Sequence, residues 1–273
     1  MVPDQIRKAK NNMTTLRGFV HSNVIRLENG GISRGPVELA REYPLKLVVN
    51  GKELATLVAS PHQLDYLVVG FLRLQGFIQR LEDLHMLGIC QEQGVAQVRI
   101  RGEVPDRLRP TLTTGCGTGI SFGLEEGLAA TTMDIPTPRF NPEGIFGLFR
   151  ELYARAELFK RHGGLHSAAI SDGSQLLLVA EDLGRHNTLD RLAGEALFKG
   201  LDLHGTMLAT SGRISSEMVV KASRLGITLL ASRTATTNLA VELATRTGIC
   251  LVGYVRREVL EIYTHPHCLT LPT

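Results

Sequence analysis

The chain has 273 residues, 43% of them hydrophobic and 21% charged, which suits one large or two modest domains with a full core and no disulfide staples. A formal net charge of +3, with lysines and arginines scattered rather than blocked and no tryptophan, argues against a nucleic-acid-binding protein while leaving room for an anionic ligand. The N-terminus lacks the apolar region of a signal peptide, no run reaches the ~18 apolar residues of a membrane helix, and Cys90, Cys116, Cys250 and Cys268 show no framework spacing, so a cytoplasmic protein with reduced thiols and no membrane partner is expected.

Residues 1–18 are polar and basic and are expected to form a flexible arm. Residues 19–135 then make up a β-rich N-terminal part. Within it, "PLKLVVNGKELATLVAS" carries a hairpin signal at Asn50-Gly51. "SPHQLDYLVVGFLRLQGFI" has helical apolar spacing, with Ser60 and Pro61 as start signals and Gly76 as the stop. Strand character returns over 85–101, followed by the glycine-rich "TTGCGTGI" at 113–120 and a Pro-rich boundary near 131–142.

Residues 136–273 are expected to be an α/β domain. "NPEGIFGLFRELYARAELFKRHGG" predicts one capped amphipathic helix ending at Gly163-Gly164. "LHSAAISDGSQLLLVAEDLG" predicts two strands joined at Asp172-Gly173, and "RHNTLDRLAGEALFKG" a helix. After these, "GTMLATSG", "SSEMVVKASRLG", "ITLLAS", "TNLAVELATRTG" and "CLVGYV" alternate strand and helix with tight connections. That alternation implies parallel pairing with right-handed crossovers, which places the strand-to-helix turns on one edge of the sheet, where ligands bind.

The turns at that edge are "TSGRISS" (210–216), "SRTATT" (232–237) and "YVRR" (254–257). The first two lead into helix N-termini and supply Arg213 and Arg233 among hydroxyls, with Ser211 and Gly212 beside Arg213. Free N–H groups and guanidinium forks suit a phosphorylated ligand, although ordinary helix capping uses the same residues. "EDLGRHNTLD" crowds Glu181, Asp182, Arg185, His186, Asn187 and Asp190 onto another strand-to-helix turn, where His186 is either a general base or one member of a mutually satisfied charge cluster. No protein-ligated metal is expected: the deaminase pattern H-x-E with P-C-x-x-C is absent, and "HPHC" at 265–268 reads as a structural tail. Cys250 and Cys90 lie in apolar runs, as buried cysteines do. Cys116 sits between glycines, where exposed N–H groups and open space suit a reactive thiol.

Taken in order, "EYPLKLVVNGKEL", "LVVGFLRLQGFI", "TTGCGTG", "GGLHSAAI", "EDLGRHNTLDRLAG", "TSGRISSEMVVKASRLGI", "ASRTATTNLAVELA" and "LVGYVRREVLEIYTHP" resemble the formate dehydrogenase accessory sulfurtransferases over residues 36–268. The resemblance implies an α/β fold: a cytidine deaminase-like three-layer domain without its zinc motif, with mostly parallel C-terminal strands, beside a smaller β-rich N-terminal domain. It implies a sulfur carrier that takes persulfide sulfur from a cysteine desulfurase and passes it to the bis-molybdopterin guanine dinucleotide form of the molybdenum cofactor, for the formate dehydrogenase catalytic subunit. By resemblance Cys116 holds the persulfide; Tyr254, Val255, Arg256, Arg257, Glu258 and Val259 contact the cofactor; and the chain is a homodimer. Arg185 and His186 are candidate helpers that lower the thiol pKa or bind phosphate. Gly119 stands where many relatives carry a second cysteine, so this chain has no C-x-x-C pair in the loop. That departure keeps a second hypothesis in play, a non-catalytic cofactor-binding chaperone. A third is a Cys–His hydrolase using Cys116 and His186.

Overall fold

The computed structural model describes residues 18–104, 110–112, 120–122 and 140–271, and its short strands and amphipathic helices assemble around separate sheets. Strands β1 (Phe19–Glu28) and β2 (Gly31–Ala40) pair only with each other. Strands β3 (Tyr43–Val49) and β4 (Lys52–Ala59) form the hairpin expected at Asn50-Gly51, whose φ angles of 50° and 81° are those of a type I′ turn. With β5 (Leu84–Cys90) and β6 (Val95–Ile100) they make a four-stranded sheet ordered β4-β3-β6-β5. Helix α1 (Leu64–Leu74) covers it, packing Leu67, Val68 and Phe71 onto Leu45, Leu47 and Leu57.

Helix α1 starts later than its sequence signals suggest. Ser60 is tied elsewhere: its N–H donates to Asp182 Oδ2 at 3.1 Å and its Oγ accepts from Leu183 N at 3.2 Å. Gln63, at φ 42°, turns the chain into the helix instead. Short strands β7 (Pro110–Leu112) and β8 (Ile120–Phe122) pair antiparallel. The expected arm up to residue 17, the boundary at 135/136 and Cys116 itself lie outside the described residues.

The single helix expected after Asn141 is two helices, α2 (Pro142–Arg155) and α3 (Glu157–His162), broken at Ala156 with ψ 77°. The Glu181 carboxylate explains the break. It accepts from Leu158 N at 3.1 Å and Phe159 N at 2.7 Å, donors that a continuous helix would give to its own carbonyls. The start is as read, with Asn141 Oδ1 accepting from Gly144 N at 2.7 Å.

Then follow β9 (His166–Ser171), β10 (Leu176–Asp182), α4 (Arg185–Lys199), β11 (Met207–Thr210), α5 (Ser216–Arg224), β12 (Leu229–Ser232), α6 (Asn238–Thr247), β13 (Cys250–Arg256) and β14 (Val259–Ile262). They build a six-stranded sheet ordered β10-β9-β11-β12-β13-β14. The parallel pairing expected for the C-terminal strands runs through β11, β12 and β13; β9, β10 and β14 join antiparallel, so the sheet as a whole is mixed. Three layers result. Ala168, Ile170, Leu208, Leu230 and Leu251 face α4, α5 and α6, while Ala169, Ala209, Ala231 and Val252 face α2. Burial on both faces accounts for the unbroken apolar runs of the central strands. Among the described residues no helix is long and apolar enough to cross a membrane.

The two larger sheets are joined by α1 against α4. A Cβ on Gly70 would lie 1.6 Å from the Asp190 carbonyl oxygen, and one on Gly194 2.0 Å from the Tyr66 carbonyl oxygen. Only glycine lets the two backbones approach this closely. Gly70→Ala is therefore expected to lower stability by at least about 3 kcal/mol in chemical denaturation, because the obstacle is backbone and the helices must separate. Gly88→Ala, where nothing lies within 4 Å of the added carbon, is the control and should change stability little.

Candidate functional site

The carboxyl ends of β11, β12 and β13 share one edge, and hydrogen bonds carry the ladder beyond the strands. Arg233 N donates to Thr210 O at 3.1 Å, Ile214 N to Ala235 O at 3.1 Å, Thr237 N to Ile214 O at 3.1 Å and Tyr254 N to Thr234 O at 3.1 Å. Ser232 Oγ donates to Gly212 O at 2.7 Å and accepts from Thr234 N at 2.9 Å. The turns at 211–215 and 233–237 and the end of β13 are thus one stitched surface.

Ser211, Gly212 and Arg185 meet at this edge. Ser211 Oγ accepts from Ser167 N at 3.0 Å and lies 3.2 Å from His166 Nδ1. A Cβ on Gly212 would sit 2.8 Å from Arg185 Cβ and 3.3 Å from His166 Nδ1, so the glycine is what admits both side chains. His166 escaped the sequence reading. Its only signal is a polar residue opening the apolar strand β9.

His186 lies one residue further into α4 and faces α5. Its Nδ1 is 2.9 Å from Glu217 Oε2 and its Nε2 is 3.4 Å from Ser215 Oγ. Glu217 Oε1 is 3.5 Å from Lys221 Nζ, which donates to Asp190 at 2.8 and 3.1 Å. Burial pushes Lys221 down, but the Asp190 and Glu217 carboxylates outweigh it and hold the ammonium above its ordinary range. Glu217 and Lys221 were also missed; their signal is a Glu/Lys pair at i, i+4 on the apolar face of a short helix.

The rest of the "EDLGRHNTLD" cluster turns away from the edge. Asp182 accepts from Arg191 Nε at 2.9 Å, Asn187 Nδ2 at 2.7 Å and Gly184 N at 2.9 Å, as well as from Ser60 N. Arg191 donates onward to the carbonyls of Ser60, His62 and Gln63. This part of the cluster holds the two sheets together.

Arg213, Arg233, Arg256 and Arg257 are all exposed, and none pairs with a carboxylate among the described residues. Tyr254 and Arg257 take left-handed φ of 49° and 51°, and the Arg256 guanidinium stands 5.7 Å from the centre of the Tyr254 ring. The 254–259 segment is the tip of the β13–β14 hairpin rather than a strand-to-helix turn. Glu258 and Val259 line an open groove of about 630 Å³ with Phe146 and Leu260. Val255 points its side chain into the core. Such an edge can hold an anion with unpaired guanidinium groups and the N–H groups of α5 and α6.

The FdhD/NarQ family model matches residues 40–270. Among individual proteins, the sulfur carrier protein FdhD of Bacillus subtilis is 32% identical over 248 residues, covering 89% of this chain and 95% of the relative. The sulfur carrier protein FdhD of Staphylococcus haemolyticus is 34% identical over 259 residues, 93% of this chain and 97% of the relative. The crystal structure of a formate dehydrogenase accessory protein from Desulfotalea psychrophila superposes with a TM-score of 0.73 at 23% identity, over 93% of this chain and 100% of that one, and so shares the fold.

Removing the Asp182 carboxylate leaves Arg191 buried and unpaired, and Asp182→Ala is expected to cost about 3–5 kcal/mol in denaturant unfolding. Burial lowers the pKa of His166 and His186, and burial with the Arg191 charge lowers His62 to about 4. Since the unfolded histidines titrate near 6.5, the unfolded state binds more protons between pH 6.5 and 4. These side chains therefore contribute stability that is present above pH 6.5 and lost as the pH falls to 4. Unfolding midpoints measured across that window should decline on acidification, less steeply in His62→Asn.

Proposed function

This chain belongs to the FdhD/NarQ family, and from that premise we propose that it is a sulfur carrier required for formate dehydrogenase activity. In this reading the Cys116 thiolate attacks the outer sulfur of a persulfide on a cysteine desulfurase. A new S–S bond forms on Cys116, the donor's S–S bond breaks, and the donor cysteine leaves as a thiolate. The sulfur then passes to bis-molybdopterin guanine dinucleotide, the substrate held at the carboxyl edge of the six-stranded sheet: the S–S bond on Cys116 breaks, a thiol reductant supplies the two electrons that take the outer sulfur to sulfide, and Cys116 is left as a thiolate.

One observation carries the reading of the edge: four exposed arginines without carboxylate partners among the described residues, on turns stitched to the helix N-termini of α5 and α6. A guanine dinucleotide brings pyrophosphates, and guanidinium forks with free N–H groups match them in charge and geometry. Tyr254, Arg256, Arg257, Glu258 and Val259 contribute from the hairpin tip, Val255 through its backbone, and Ser211, Gly212, Arg213, Arg233 and Arg185 from the turns. His186 acts beside them through its contacts to Ser215 and Glu217. The larger sheet with its helices is the cytidine deaminase-like domain in this reading, and the protein works as a cytoplasmic homodimer that docks the formate dehydrogenase catalytic subunit.

Gly119 leaves Cys116 without a neighbouring thiol, so transfer runs through a single sulfur. After incubation with a desulfurase and cysteine, wild type is expected to gain one sulfur mass on the peptide holding Cys116, and Cys116→Ala none. If Cys116→Ala still restored formate dehydrogenase activity in a strain lacking the protein, the carrier role would give way to that of a cofactor-holding chaperone.

A further inference from the structure

Ser215 is the N-cap residue of α5, with extended φ −101° and ψ 170°, yet its side chain makes no capping hydrogen bond. A serine here normally accepts from an N–H of the first helical turn. Instead its Oγ turns to His186 Nε2 at 3.4 Å. This is the outer end of a chain that runs inward through His186, Glu217, Lys221 and Asp190, the last four all buried. Lys221 with Asp190 already ties α5 to α4. His186 with Glu217 is a second tie between the two helices, and it continues out to the half-buried Ser215 at the sheet edge.

The direction of the protons along this arm follows from its donors and acceptors. The Glu217 carboxylate, facing the Lys221 ammonium, can only accept, so His186 Nδ1 carries a hydrogen. Burial disfavours the imidazolium more than Glu217 favours it, so the imidazole is neutral at pH 7.5, Nε2 accepts, and the Ser215 hydroxyl is the donor. Its proton is turned inward. Its lone pairs remain free to accept, because the capping bond that would occupy them is not made.

We propose that Ser215 is a specificity-determining contact of the nucleotide-binding edge: His186 and Glu217 hold its hydroxyl as a hydrogen-bond acceptor, which receives a donor of the bound nucleoside, the ribose 2′-hydroxyl or the guanine 2-amino group, and disfavours a phosphate oxygen. The proposal rests on the reading of this edge as a guanine dinucleotide site. It separates the work there. Arg213, Arg233, Arg256 and Arg257 hold phosphate, and Ser215 recognises the nucleoside. His186 and Glu217 touch no ligand and are positioning residues.

The test is calorimetric binding to the full-length protein at pH 7.5, with GDP, 2′-deoxy-GDP, inosine diphosphate and inorganic pyrophosphate as probes. Ser215→Ala is expected to weaken GDP about 5–10-fold, the size of one hydrogen bond, and to leave pyrophosphate unchanged. Of the two analogues, the one lacking the matched donor should bind wild type as weakly as GDP binds Ser215→Ala, and should not distinguish the two proteins. Glu217→Gln supplies a readout that a merely structural role would not move. Its amide donates to Nδ1, so Nε2 carries the hydrogen and donates to Ser215 Oγ, and the serine proton swings into the crevice. GDP should then weaken while pyrophosphate tightens, in protein whose thermal unfolding shows it folded. Ser215→Ala binding GDP as wild type does, or losing equal factors for GDP and pyrophosphate, overturns the proposal. Wild type binding neither GDP nor pyrophosphate overturns it through its premise, a different result that removes the nucleotide reading of the whole edge.

Discussion

The carboxylate of Asp182 is the interaction on which the arrangement of the two larger sheets depends. It lies fully buried and accepts hydrogen bonds from Ser60 N, Gly184 N, Asn187 Nδ2 and both Nε and one terminal nitrogen of Arg191. Burying an ion pair costs several kcal/mol per charge unless geometry and further hydrogen bonds offset it. Here every polar side-chain atom on both sides has a hydrogen-bond partner. The guanidinium also reaches the carbonyls of Ser60, His62 and Gln63, the turn that leads into α1. One charge pair thus fixes the entry to α1 and the entry to α4, and the Gly70–Gly194 contact can then bring the helices to backbone distance.

The functional edge inherits its geometry from that pair through helical periodicity. On α4, Asn187 and Arg191 are four residues apart and face the four-stranded sheet, while His186 and Asp190, also four apart, face α5. On α5, Glu217 and Lys221 repeat the same spacing and meet them. Two ladders of polar residues therefore run along one helix, about 100° apart around its axis. The inner one sets where α4 sits, and the outer one carries that position to Ser215 and the turn at 211–215. Arg185, at the first position of α4, comes to rest against Gly212 for the same reason.

Much of this architecture was legible in the sequence wherever local chemistry and tertiary packing agree. The Asn50-Gly51 hairpin, the Asn141 cap, helix α4 and the parallel run β11–β13 are set by turn residues and apolar periodicity alone. Legibility fails where a distant side chain takes over a local hydrogen bond. Glu181 splits one predicted helix into α2 and α3 by capturing two of its N–H groups, and Asp182 draws Ser60 away from its apparent role as a helix start. At the edge, the arginine-bearing turns could be read because strand-to-helix order places them together. The Ser215–His186–Glu217 arm could not, because its members join α4 to α5 across a sequence separation of 29 positions between His186 and Ser215.

The same distinction between buried and exposed charge explains what the edge can select. Asp182 pairs with Arg191, and Asp190 and Glu217 share Lys221, inside the protein. The arginines of the edge have no such answer among the described residues, so their positive charge is expressed where a ligand would arrive. A surface of donors alone, however, binds any phosphate. An acceptor of fixed polarity at the same edge would tell a nucleotide from free phosphate or pyrophosphate, and a serine hydroxyl cannot fill that role by itself, since it rotates to suit whatever approaches. Fixing its proton requires a partner that only accepts, and a neutral histidine whose other nitrogen is held by a buried carboxylate is such a partner. The cost of burying Glu217 is met by Lys221, and that of Lys221 by Asp190. On the proposed reading, a chain of buried charges that looks like core stabilisation is what gives one surface hydroxyl a defined polarity.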